Sequence, residues 1–257
     1  KEEVKKFEKI DLLNQLSLLS EYKLDFEKIS SEIDKYVKEK LISTKKINYS
    51  EYVVDQLPRV ISMKSSLITN EKISMVKALA RTYREQLMNK DAIFIGEDIA
   101  DPYGGAFKVT KGFQETKPAN VYSTPISEAG LVGIAIGMNL VGEKTFAEIM
   151  FGDFVVNAMD QLVNNASKFH HMYGKQFSCD FVVRMPMGGR RGYGPTHSQS
   201  LEKFLLGIDN TAVVATSSLV DPGDLIERVS QLTCPTIIIE NKTDYSSFLF
   251  EPIEDLE

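Results

Sequence analysis

The sequence predicts an α/β fold, a mostly parallel sheet with helices on both faces, preceded by a helical arm. Three observations carry that expectation. Apolar runs such as AIFIG (92–96) are too short for core helices and read as strands buried on both faces. Longer stretches place apolar residues at threes and fours, the spacing of a helix with one buried face. From about residue 71 the two kinds alternate with short connections, as crossover helices between parallel strands require.

Residues 1 to about 42 are rich in Lys and Glu, with Phe7, Ile10, Leu13 and Leu16 on one helical face. Phe26, Ile29, Ile33, Tyr36, Val37 and Leu41 mark a second helix, capped by Asp25 or Ser30. Residues 43–71 lack a steady period and contain Pro58, so 1–70 reads as helical arm and linker. The α/β domain then covers 71–250. Its first helix turns Ile73, Val76, Leu79, Ala80, Tyr83 and Leu87 inward. Strands are expected at 92–96, 120–123, 144–149, 179–184, 211–216 and 236–240, and helices at 128–141, 154–172, 199–206 and 222–231. The chain opens at Lys1 within a helical pattern and closes on EPIEDLE, so an excised fragment with a short tail (251–257), a cloning scar, is expected.

Of the 257 residues, 43% are hydrophobic and 26% charged, the balance of an ordinary globular protein. No apolar run reaches the roughly 18–20 residues a membrane helix needs, and a net charge of −6 with mixed signs leaves no nucleic-acid footprint. Cys179 and Cys234 lack metal-ligand spacing and read as core thiols of a reducing, cytoplasmic setting. No metal site, P-loop or G-x-G-x-x-G fingerprint is present.

Ligands of parallel sheets gather beyond the carboxyl ends of the strands. Glu97, Glu128, Met150 to Phe154 and the 185–197 loop all fall there. Glu128 opens the apolar run AGLVGIAIG, where the helix N-terminus favours an ionised acid while burial raises its pKa. It is either a first-turn acid stabilising its own helix or a half-buried proton donor. His197 lies in the Gly- and Pro-rich GYGPTHSQS, as a solvated imidazole or a site residue. Met150 and Phe154 are either core residues at a strand-to-helix corner or one wall of a site, and Glu97 is a loop carboxylate or a proton relay. Arg190 and Arg191 are mobile cations of a surface loop or partners of an anionic group, and 101–112 (DPYGGAFKVTKG) has the flexibility of a segment closing beside a site. His170 and His171 sit on the polar side of a helix and receive no role.

Four blocks in order, IFIGEDIADPYGGAFKVTKGF (93–113), PISEAGLVGIAIGM (125–138), FAEIMFGDFVVNAMDQLVNNASKF (146–169) and MPMGGRRGYGPTHSQSLEKF (185–204), carry a resemblance. They resemble the beta subunit, or pyrimidine-binding domain, of the thiamin-diphosphate-dependent decarboxylating component of 2-oxo acid dehydrogenase complexes, with a lean towards branched-chain members. The amino-terminal helices resemble the end of the matching alpha subunit, which implies a fused alpha–beta polypeptide.

That resemblance implies a transketolase-like domain and a cofactor, thiamin diphosphate, held between two subunits. Glu128 then hydrogen-bonds the aminopyrimidine nitrogen N1′, Phe154 and Met150 pack against that ring, and His197 steadies the substrate. Glu97 joins a proton path between paired sites. Magnesium and the diphosphate are left to the missing alpha part, since the GDG-to-Asn motif is absent, and the fragment alone is expected to be inactive. The implied partners are an alpha-subunit region, a lipoyl-bearing acyltransferase and a second copy of the chain, with no nucleic acid and no membrane. A pyruvate-, acetoin- or transketolase-type enzyme and a non-catalytic assembly module are the competing readings.

Overall fold

The computed structural model describes Ser31 and residues 73–249, Leu219 excepted. Apart from Ser31, the helical arm, the linker and the 251–257 tail lie outside the described residues. Six strands form one parallel sheet: β1 (Ile93–Glu97), β2 (Val121–Thr124), β3 (Thr145–Glu148), β4 (Val182–Met187), β5 (Ala212–Ala215) and β6 (Thr236–Asn241). Their spatial order is β2-β1-β3-β4-β6-β5. Burial follows position: β1, β3 and β4 are buried throughout, whereas the edge strands β2 and β5 are partly exposed.

Strand alternation sorts the side chains between two cores, as a sheet covered on both faces demands. Ile95, Ala147, Val183 and Ile237 face one core, closed by α3 (Glu128–Leu140), the segment 152–172 and α5 (Glu202–Leu205). Phe94, Phe146, Val182 and Ile238 face the other, closed by α1 (Met75–Asn89), α6 (Pro222–Val229) and Phe113 of the short α2 (Phe113–Thr116). Phe94 stacks on Phe146 at 5.0 Å, and Tyr83 of α1 meets both rings edge-on. The buried stripe of α1 is rotated from the expected one. Met75, Ala78, Thr82 and Gln86 join Leu79, Tyr83 and Leu87 inside, while Ile73, Val76 and Ala80 are only partly covered.

Two expectations need correction. β4 is shifted three residues on from the expected 179–184, running from Val182 through Pro186 to Met187. The missing N–H of Pro186 would point towards β3, which has already ended at Glu148, so no ladder bond is lost. The single helix expected at 154–172 is three pieces: a 3₁₀ segment Gly152–Ala158, a π segment Gln161–Ala166 and α4 (Ser167–Met172). Cys179 is buried, its thiol pushed up to about 12 by burial, but Cys234 is only half-buried.

Candidate functional site

The residues singled out gather along the carboxyl ends of the strands. Glu97 is the last residue of β1, and its Oε1 accepts the Ser127 N–H at 2.9 Å. Ser127 is the N-cap of α3, its Oγ accepting from Gly130 N at 3.3 Å. That cap leaves Glu128 as the first helical residue, 6% exposed, with its Oε2 accepting from Asn157 Nδ2 at 3.1 Å. A carboxylate there gains from the orphan N–H groups of the first turn. Glu97 is 2% exposed, and its carboxyl is raised above the ordinary value, first by burial and then by the negative charge of Glu128. Two acids thus share one corner, joined through Ser127, whose N–H Glu97 accepts and whose cap precedes Glu128.

Asn157 was not legible as a site residue in the sequence, because it carries no chemistry-bearing motif. Its position follows from the 3₁₀ geometry of 152–158, in which residues three apart eclipse. Asn157 therefore lies on the same edge as Phe154, whose ring meets His197 edge-on at 5.0 Å. Phe151, one turn earlier, meets the same imidazole at 4.9 Å. His197 is half-buried in the 3₁₀ turn Pro195–His197, and its Nδ1 lies 2.9 Å from Thr196 Oγ1. The 3₁₀ segment thus carries on one edge the partner of Glu128 and the wall of His197. Met150 is half-buried just before it.

An aromatic cluster surrounds the imidazole. Phe107, from the 101–112 loop, packs edge-on against Phe151 at 5.5 Å, Tyr193 at 6.1 Å and Tyr245 at 5.2 Å. That loop is therefore built into the wall through Phe107. Arg190 and Arg191 are exposed, with Arg190 in the left-handed region at φ 64°. His170 stands apart, its Nδ1 2.7 Å from the Phe177 carbonyl.

The profile of the transketolase pyrimidine-binding domain matches residues 71–247. The chain belongs to that family. Among its relatives is the pyruvate dehydrogenase E1 component subunit beta of Rickettsia bellii, 35% identical over 176 residues, which are 68% of this chain and 54% of that one. The mitochondrial 2-oxoisovalerate dehydrogenase subunit beta of Dictyostelium discoideum is 36% identical, over 66% of this chain and 47% of its own length. The pyrimidine-binding chain thus spans about half the length of the curated relatives it matches. A split-gene transketolase in an inactive beta4 tetramer shares the fold, with a TM-score of 0.51 at 19% identity over 66% of this chain and 51% of that one.

Proposed function

We propose that this domain is the pyrimidine-binding half of a 2-oxo acid dehydrogenase, with thiamin diphosphate as cofactor and a branched-chain 2-oxo acid as substrate. Its acyl product passes to the lipoyl group of an acyltransferase, and an alpha-subunit region, in the same or another chain, supplies magnesium and the diphosphate contacts. A second copy completes the assembly. The observation that carries this reading is the buried Glu128, placed at a helix N-terminus with Asn157 on one oxygen and Glu97 beside it.

The residues fit the group. A flat heterocycle with ring nitrogens needs a carboxyl at its edge and an aromatic face beside it. Glu128 and Phe154 supply these, from elements that the Asn157 hydrogen bond ties together. Thiamin diphosphate, when bound, supplies a carbon nucleophile and an electron sink for the loss of carbon dioxide. Glu128 holds or accepts a proton at the pyrimidine nitrogen N1′, and Asn157 fixes which oxygen faces it. Glu97, whose Oε1 accepts the Ser127 N–H at the same corner, would join a proton path to Glu128. His197, with Nδ1 beside Thr196, would offer Nε2 to the substrate carboxylate.

The test is Glu128→Gln in the chain reconstituted with an alpha region, magnesium and thiamin diphosphate. Turnover of 2-oxoisovalerate is expected to fall by about 10²–10⁴-fold, the usual worth of a positioned acid or base, with folding intact. Unchanged turnover would overturn the role. Equal or faster turnover of pyruvate or acetoin by the unaltered chain would remove the branched-chain assignment.

A further inference from the structure

Lys242 follows β6 and is wholly buried at 0% side-chain exposure, yet no motif in the sequence marks it. Its Nζ donates to the backbone carbonyl of His197 at 2.5 Å. The same ammonium lies 3.7 Å from Asp153 Oδ2, itself 1% exposed, and over the rings of Phe151 at 4.9 Å and Tyr193 at 5.8 Å. Asp153 Oδ1 accepts the Gln199 N–H at 2.7 Å, while Oδ2 has no hydrogen bond and faces the ammonium.

Two buried charges thus grip the main chain on either side of Ser198. The stretch before them is a turning loop closed by the Gly188 N–H on the Gln199 carbonyl at 3.1 Å. Within it Gly188, Gly192 and Gly194 take positive φ, as does Arg190. Burying a lone ammonium or carboxylate is costly, and each charge here is tolerable because of the other.

We infer that the Asp153–Lys242 pair is the positioning device of His197, holding its imidazole in the slot between Phe151 and Phe154. Neither side chain makes a hydrogen bond to the imidazole. Both act through the main chain, from the 3₁₀ segment that carries Phe154 and from the residue that follows β6. The consequence for turnover rests on the reading of His197 given above; the placement itself does not.

The experiment is histidine-selective NMR on the 257-residue chain, which has three histidines, with His197 assigned through His197→Gln. In the unaltered chain its ring protons are shifted by the two edge-on phenylalanines. In Lys242→Met the His197 resonances are expected to move towards those of an unstructured histidine. Exchange of the Gln199 amide is expected to quicken by about tenfold or more. The His170 and His171 resonances stay in place, which a general loss of structure would not allow, and Lys242→Arg restores most of the shift. Because Lys242→Met strands a buried carboxylate, the double variant Lys242→Met/Asp153→Asn is run beside it. It leaves no lone charge and is expected to fold while still releasing His197. Unmoved His197 resonances in the double variant would overturn the proposal. In the reconstituted enzyme the double variant is expected to raise the KM for 2-oxoisovalerate at least fivefold. A displaced ring with unchanged KM would uphold the positioning and overturn the substrate role of His197.

Discussion

At the scale of single residues, the corner occupied by Glu97 and Glu128 sets a proton balance that can be measured directly. Burial is the larger cause of the raised Glu97 carboxyl and the charge of Glu128 the next, with the Ser127 N–H opposing both. Glu128→Gln removes only the second cause. A carboxyl-carbon NMR titration is therefore expected to show Glu97 above 4.5 in the unaltered chain. In the variant its midpoint falls part of the way back. An unmoved midpoint would mean that the two acids do not share a field. The stability sign follows from the direction. A carboxyl raised on folding costs stability once pH exceeds its folded value and costs none below the unfolded one. Glu97→Gln, which keeps an oxygen for Ser127, is thus expected to melt higher at pH 7 and no higher near pH 4. Glu128 stood out in the sequence as an acid heading an apolar run, but spacing alone left it a helix-capping acid or a proton donor, and the family resemblance favoured the second. Asn157 did not stand out, since its meaning depends on a 3₁₀ repeat that side-chain patterning cannot distinguish from an α repeat.

At the scale of elements, α3 is the part whose start matters most, because it aims Glu128. Its Ser127 cap satisfies Gly130 N, and its own N–H is held by Glu97. Ser127→Ala is expected to cost about 1 kcal/mol in urea unfolding, the usual worth of a cap hydroxyl. It is also expected to slow turnover, since the first turn frays where the acid sits. A loss of turnover without a loss of stability would place the effect outside the cap. The breakup of 152–172 has an equally local origin. A Cβ on Gly152 would lie 2.7 Å from Met187 Cε, so the segment is pressed against β4. Val155 and Val156 are β-branched and disfavour α-helix, which lets tight packing impose the 3₁₀ turn. Hydrophobic spacing showed an amphipathic segment there and could not show its pitch. Strands were more legible. Their short runs of Val, Ile and Phe suit strands buried on both faces, and the errors lay at ends such as Pro186.

At the scale of the whole molecule, three neighbouring strands are bound by a charge cluster on the α1 face of the sheet. Arg184 of β4 meets Glu148 of β3, and its Nε and Nη2 donate to Glu240 of β6 at 2.7 and 2.5 Å. Tyr83 of α1 and Tyr245 also donate to Glu240, at 2.8 and 2.5 Å. All five side chains are essentially buried, so three neighbouring strands, a helix and the 244–246 turn share one polar knot. The sequence held a signal for it: a lone Arg in VVRMPM and a lone charged residue, Glu240, after the apolar run III, each demanding a partner. Which partner answers is a matter of register, and that only the sheet supplies. One cation faces two acids, and the acids divide. Burial raises Glu148 above its ordinary value and outweighs the pull of Arg184. Burial also opposes Glu240, but the charge and hydrogen bonds of Arg184, with those of Tyr245 and Tyr83, hold it below. Opposite shifts give opposite signs. Ionised Glu240 contributes stability above the unfolded carboxyl value of about 4.5 and loses it as pH falls through the lower folded one. Ionised Glu148 costs stability once pH rises past its raised folded value. Urea unfolding at pH 7 should therefore rank the variants. Glu148→Gln is expected at or above the unaltered chain, and Glu240→Gln below it. Arg184→Met is expected lowest, by about 3–5 kcal/mol, because it strands two buried carboxylates. Near pH 4 the Glu148→Gln advantage should vanish. If Glu148→Gln instead proved the most damaging, the Arg184–Glu148 contact would be the main tie of the sheet, and the division of roles between the acids would be reversed.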